Sequence, residues 1–239
     1  MTRLATIPAG DSTAGTSRPP RLGTDAFGGR TRVKICGCTS AAEVGAVVSA
    51  GADAVGLIFA PSPRRISPEQ GAAATATVPS SVSVVGVFID PSVGELEHAL
   101  TVLPRLIPQF SGSESPELCR HLGIPYLKVF PVSREDARNV DALAIDLARY
   151  PEALAIFETA SRERGGSGQI FNWSAVQTLV EQRSAVISGG LDPTNVEACV
   201  RQLQPYAVDV RSGVESDGVK DPRKIADFID AVRRAHEPS

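Results

Sequence analysis

A short β-branched run, a polar turn and an Ala/Leu-rich amphipathic stretch recur eight times along most of the chain, and no other sequence feature constrains the fold as much. The runs are Arg32–Cys36, Ala54–Ile58, Val82–Phe88, Leu106–Phe110, Tyr126–Phe130, Leu154–Glu158, Ala185–Ser188 and Ala207–Val210. Helical patterns follow at Ala41–Ala50, Pro68–Thr77, Val93–Val102, Ser115–Leu122, Glu135–Arg149, Trp173–Gln182, Pro193–Leu203 and Pro222–Ala235, with Val93–Val102 reading as the shortest. Ser67-Pro68, Asp192-Pro193 and Asp221-Pro222 each set a capping residue before a proline suited to a first helical turn.

Strands alternating with helices imply parallel pairing through right-handed crossovers. Eight such units predict an α/β chain folded as a closed (β/α)₈ TIM barrel. The competing doubly wound sheet carries its glycine fingerprint after the first strand. Here that strand ends in Cys36-Gly37-Cys38, and the glycine-rich turns follow strands six, seven and eight. The expected organisation is a tail over 1–30, rich in Gly, Thr, Ser, Pro and Arg and read as disordered, followed by one barrel domain over 31–239.

With 239 residues the chain is long enough for a substantial core. A net charge of −3 without a basic block gives no reason to expect nucleic acid or an anionic membrane as partner. No stretch approaches the roughly 18 apolar residues of a membrane span. Four scattered cysteines make no disulfide scaffold, and Cys36 and Cys38 lack neighbours to complete a metal site. These features point to a cytoplasmic protein without a metal.

A barrel gathers all its strand-to-helix loops on one face, so residues distant in sequence converge there. Cys36 ends strand one: a thiolate base or nucleophile if its pKa is lowered, otherwise a small buried hydrophobe. Glu158 ends strand six, a carboxylate at the rim that suits an acid or a solvated loop charge. Gly165-Gly166-Ser167-Gly168 can let backbone approach a ligand or can act as a linker. Ser188-Gly189-Gly190 and Arg211-Ser212-Gly213 stand after strands seven and eight, where barrels often bind phosphate. Arg64, in the proline-stiffened Ser62-Pro63-Arg64-Arg65, can grip a carboxylate or stand as an exposed cation.

The motifs that hold these residues resemble the phosphoribosylanthranilate isomerase family. They are Lys34-Ile35-Cys36-Gly37, Val55-Gly56-Leu57-Ile58-Phe59, Val85-Gly86-Val87-Phe88, Phe171-Asn172-Trp173, Ser188-Gly189-Gly190-Leu191, Asp209-Val210, Ser212-Gly213-Val214-Glu215 and Gly218-Val219-Lys220-Asp221. The resemblance implies a cofactor-free Amadori rearrangement of a small phosphosugar by a monomer or homodimer. It makes Cys36 the base and Glu158 the acid. It sets Arg64 against the anthranilate carboxylate, and gives Gly166, Gly189, Gly190, Asp209, Ser212 and Gly213 to the substrate. The sequence departs from the family at Glu158, where an aspartate is usual, and at Ser111 in place of a pocket histidine. Asn172 replaces the aspartate before Trp173, and Arg211 replaces a small polar residue. Two other readings stay open: a paralogue acting on another aryl phosphoribosylamine or phosphosugar, and a phosphate-ligand-binding barrel with little turnover.

Overall fold

The computed structural model describes residues 29–133, 140–160 and 170–237. The expected tail over 1–30 lies almost wholly outside them, as do the start of the helix expected at Glu135–Arg149 and the glycine turn containing Gly166.

Eight parallel strands close into a ring: β1 Arg32–Ile35, β2 Ala54–Ile58, β3 Ser83–Phe88, β4 Leu106–Phe110, β5 Leu127–Val132, β6 Leu154–Thr159, β7 Ala185–Ser188 and β8 Ala207–Val210, with β8 paired back to β1. Outside them lie α1 Ala41–Ala50, α2 Pro68–Thr75, α3 Val93–Val102, α4 Pro116–Arg120, α5 Val140–Ala148, α6 Gln177–Gln182, α7 Val196–Leu203 and α8 Pro222–Arg234. The barrel predicted from sequence is therefore the fold observed. Among the described residues no helix is long and apolar enough to cross a membrane.

The strands are apolar runs because both of their faces are covered. Alternate side chains point outward under the helices or inward to the barrel axis. On β3, Val84 and Phe88 belong to the large cluster shared with the helices, whereas Val85 packs inside with Leu127, Val129, Ile156, Val186 and Ala207. This period of two sorts every strand. Val33 and Ile35 face out, which turns Lys34 and Cys36 inward; Val208 and Val210 face out, which turns Asp209 inward; Ala155 and Phe157 face out, which turns Glu158 inward. The lower barrel is sealed by aliphatic residues, and the polar residues collect at the strands' C-terminal ends.

Local differences from the sequence reading have identifiable causes. β5 runs on to Val132 although Pro131 lacks an N–H, because the ladder with β6 continues through Pro131↔Glu158 and Val132↔Thr159. The shortest α-helix among the described residues is α4 (5 residues), not α3, which has 10. Ser115 caps α4, and Gly123 at φ +61° lies just beyond its end. α7 starts at Val196 and not at Pro193: Asp192 Oδ1 accepts from Thr194 N–H at 2.7 Å, and Asn195 Oδ1 accepts from Asp192 N–H at 3.0 Å, so the segment forms a turn first. Ser67 and Asp221 do cap α2 and α8 as expected. After β8 an antiparallel pair, β9 Glu215–Ser216 and β10 Val219–Lys220, turns through Asp217-Gly218, both at positive φ as such a hairpin requires.

Candidate active site

A cavity of about 360 Å³ opens at the C-terminal ends of the strands. Its lining includes Cys36, Gln109, Ser111, Glu158, Ser188, Gly189, Gly190, Asp209, Arg211 and Ser212. The size is within the usual range for a small-molecule site. Cys36 and Glu158, drawn from strands on different sides of the ring, thus face one space.

Cys36 directly follows β1, and its N–H still bonds the Val210 carbonyl at 2.8 Å. The thiol fits because the neighbouring strand carries Gly56. A Cβ there would stand 2.8 Å from Cys36 Sγ and 2.9 Å from its Cα. Two residues back, Lys34 is buried on the same inner face and donates to Asp209 Oδ1 at 2.9 Å. A buried ammonium needs such a partner. Burial pushes the Cys36 thiol above its ordinary value, and Lys34, which also bonds it, pulls back towards the thiolate. Burial would lower Lys34, yet the negative charge of Asp209 and the Cys36 thiolate hold its pKa above the ordinary value. Asp209 Oδ2 receives a long hydrogen bond from Ser188 Oγ at 3.4 Å.

Glu158 projects into the cavity without a hydrogen-bond partner among the described residues, and burial raises its carboxyl above the usual carboxylate range. Asp209 raises it further, while Lys34 and Arg211 act in the opposite direction. A carboxyl that holds its proton more tightly than a free one and a thiol paired with an ammonium set a candidate acid and a candidate base on one volume.

The turns after β7 and β8 present N–H groups because their carbonyls are held elsewhere. Thr159 Oγ1 donates to the Gly189 carbonyl at 3.2 Å, Asn195 Nδ2 to the Gly190 carbonyl at 2.9 Å, and Lys220 Nζ to the Arg211 carbonyl at 2.8 Å. Across a trans peptide the N–H points opposite to the carbonyl. The N–H groups of Gly190, Leu191 and Ser212 therefore point away from those donors, and none meets an acceptor among the described residues. Gly189 sits at φ +88°, and a Cβ on it would stand 2.6 Å from Thr159 N. Gly213 does not line the cavity. It allows close contact between the two turns, since a Cβ there would stand 2.0 Å from the Leu191 carbonyl oxygen.

Arg64 differs from the expectation of a free clamp. It does not line the cavity, and its three nitrogens donate to Gly37 O, Gly218 O and Glu43 Oε1. Its side chain is 12% exposed, and Nε lies 3.5 Å from Glu215 Oε1. It ties the loops after β1, β2 and β8 together. The sequence reading did not single out Lys34 or Gln109 as site residues. Gln109 is buried on β4 and gives Nε2 to Ser111 Oγ at 3.3 Å, while its Oε1 has no donor among the described residues. Both sit on the inward phase of a strand, two residues from a rim position, and that count could have found them. Gly166 lies outside the described residues.

The chain matches the family model for N-(5'-phosphoribosyl)anthranilate (PRA) isomerase over residues 33–231. It is 42% identical over 212 residues to the N-(5'-phosphoribosyl)anthranilate isomerase of Halorhodospira halophila, covering 87% of this chain and 99% of that relative. It is 38% identical to the isomerase of Desulforudis audaxviator, covering 86% and 99%. The crystal structure of the Thermotoga maritima isomerase superposes with a TM-score of 0.76 at 35% identity, covering 85% and 99%. An isomerase solved in complex with reduced 1-(o-carboxyphenylamino)-1-deoxyribulose 5-phosphate gives a TM-score of 0.72 at 32% identity, covering 85% and 99%. With a matched model spanning the barrel and relatives covered almost end to end, the chain belongs to the phosphoribosylanthranilate isomerase family.

Proposed function

We propose that the chain converts N-(5-phosphoribosyl)anthranilate into 1-(2-carboxyphenylamino)-1-deoxyribulose 5-phosphate, a step of tryptophan biosynthesis. The observation that carries this reading is the meeting of Cys36 and Glu158 at one cavity, beside turns with outward N–H groups. Glu158 gives its proton to the ribose ring oxygen. The C1–O bond breaks as the nitrogen lone pair forms the Schiff base. Cys36, as thiolate, removes the C2 proton, and the enolamine tautomerises to the ketone. Two protons leave the substrate and two return, so the rearrangement consumes no oxidant or reductant.

The N–H groups of Gly190, Leu191 and Ser212 suit the phosphate, and Gly189 and Gly213 shape the turns that carry them. Asp209 holds Lys34 beside the thiol and has acceptor capacity left for a ribose hydroxyl. Anchoring the phosphate away from the reacting carbons helps hold them between acid and base.

The test is complementation of a tryptophan auxotroph lacking this isomerase, paired with a purified assay of substrate consumption. Growth with the wild-type chain and none with Cys36→Ala is the expected result. A well-folded wild-type product that neither complements nor consumes substrate would refute the assignment.

A further inference from the structure

We infer that a buried ion pair outside the barrel wall, Glu114 with Lys128, positions the loop after β4 against the aryl end of the substrate. The inference rests on the isomerase reading and adds two residues that act on its substrate through a loop.

Lys128 lies on β5 beside the inward Val129, on the same phase as Phe130, which packs outward with the helices. Its ammonium therefore sits in a layer of mostly apolar side chains. There Nζ lies 3.1 Å from Glu114 Oε2, with the two side chains 5% and 0% exposed. A buried pair of this kind is often no more stabilising than apolar residues of similar volume. What it supplies here is direction, because both groups spend their remaining capacity on loop backbone. Glu114 accepts from Asp90 N–H at 3.0 Å and from Gly112 N–H at 2.9 Å. Lys128 donates to the Gly112 carbonyl at 2.8 Å. The peptides on both sides of Gly112 are thus fixed, one by each charge. Asp90 Oδ1 accepts from Ser113 N–H at 2.6 Å, which joins the loop after β3 to the same knot. Only glycine fits at position 112, since a Cβ there would stand 2.7 and 2.8 Å from Asp90 Cγ and N. Behind the pair, the Tyr150 hydroxyl donates to the Glu114 carbonyl at 2.7 Å.

Ser111, Gly112 and Ser113 line the cavity, and the pair backs them from the other side. In the closed ring β3 and β4 stand opposite β7 and β8. With the phosphate at the turns after β7 and β8, and the reacting carbons between Cys36 and Glu158, the aryl end falls among the loops after β2, β3 and β4, which line the same cavity. The contacts of the pair run through β3, β4 and β5, away from the phosphate turns. Its loss should therefore fall on the aryl end.

The experiment compares wild type, Lys128→Met and the double variant Lys128→Met/Glu114→Leu in the full-length protein. Initial rates with the substrate and Tm are measured. Equilibrium binding is measured for ribose 5-phosphate and for reduced 1-(o-carboxyphenylamino)-1-deoxyribulose 5-phosphate, which carries both ends. Lys128→Met should lower Tm, since Glu114 stays buried without its cation, and the double variant should regain part of the loss. In both variants kcat/KM should fall about tenfold to hundredfold, the scale of a displacement near 1 Å. The reduced compound should weaken in step, and ribose 5-phosphate should keep its affinity. A folded double variant with wild-type kcat/KM and wild-type affinity for the reduced compound would overturn the proposal and leave the pair a purely structural one. So would an equal loss for ribose 5-phosphate, which would spread the effect over the whole cavity. If the wild type bound the reduced compound without turning over the substrate, the isomerase reading would fall, and the comparison of the two ligands would still decide whether the pair positions the aryl wall.

Discussion

Replacing Lys34 by methionine removes the ammonium from beneath the proposed base and keeps an unbranched stem in its place. In the native protein Lys34 Nζ lies 2.9 Å from Asp209 Oδ1, with the two side chains only 4% and 7% exposed. Removing one partner of such a pair typically costs about 3–5 kcal/mol, because the other charge stays buried and uncompensated. Asp209 would keep only the Ser188 hydroxyl at 3.4 Å. That loss is large against the roughly 5–15 kcal/mol that holds a domain folded. The double variant Lys34→Met/Asp209→Leu removes both charges and should regain most of the lost Tm. The effect on the thiol is separate. A hydrogen bond to a charged group contributes about 1.5–3 kcal/mol, so losing the ammonium should shrink the thiolate population about tenfold to hundredfold below the thiol's own pKa. In the double variant the repulsion from Asp209 goes too, and the loss should be smaller. The assay is the initial rate of iodoacetamide alkylation of Cys36 against pH, read by peptide mass spectrometry. The other thiols are buried and pushed up, Cys38 and Cys199 to about 12 and Cys119 to about 11, so they compete little at neutral pH. A folded Lys34→Met protein whose Cys36 reacts at the wild-type rate from pH 7 to 8 would refute the claim that Lys34 activates the thiol.

Two further predictions concern the acid and the phosphate turn. Glu158 has a folded-state pKa raised above its unfolded value, so it favours the folded state while protonated and loses that contribution as pH rises through the raised value. Glu158→Gln, permanently neutral, should therefore abolish ring opening while raising Tm by a few degrees at pH 8, with a smaller gain at pH 5; an unchanged or lower Tm at pH 8 would contradict the burial argument. Gly189→Ala should cost at least about 1–2 kcal/mol, since φ is +88° and the new Cβ meets Thr159 N at 2.6 Å. Weaker binding of ribose 5-phosphate should accompany the fall in Tm, and wild-type affinity would separate this turn from the phosphate.

The architecture was legible because strands covered on both faces must be written as dense β-branched runs, and eight of these alternate with amphipathic helices. The rim was legible in the same way: Cys36, Glu158 and the glycines stand at or near strand ends, and the fold gathers strand ends on one face. The pairing of Lys34 with Asp209 was also within reach. Each sits mid-strand on an inward phase, and two opposite charges inside a closed barrel have strong reason to meet. The fate of Arg64 was not. Its partners Glu43, Gly218 and Glu215 come from α1, the β9–β10 turn and β9, and their convergence depends on how three loops fold over one another. The Asp217-Gly218 dipeptide signals the turn, but nothing local says that its carbonyl will face an arginine far back in the chain.

The charges at the site divide into groups that offset one another inside the protein and a group left for a ligand. Lys34 and Asp209 form a nearly neutral pair, which can adjust the thiol and the acid but exerts little net pull on an incoming anion. Lys220 is held by Glu215, and Arg64 by Glu43 and Glu215. The turns after β7 and β8 offer backbone dipoles, with the Arg211 side chain as the formal charge beside them. A substrate carrying a phosphate and a carboxylate would thus enter a cavity whose uncompensated cation, among the described residues, is Arg211. Arg64 spends three of its five N–H groups on Gly37, Gly218 and Glu43, so it ties three loops together and still keeps two donors.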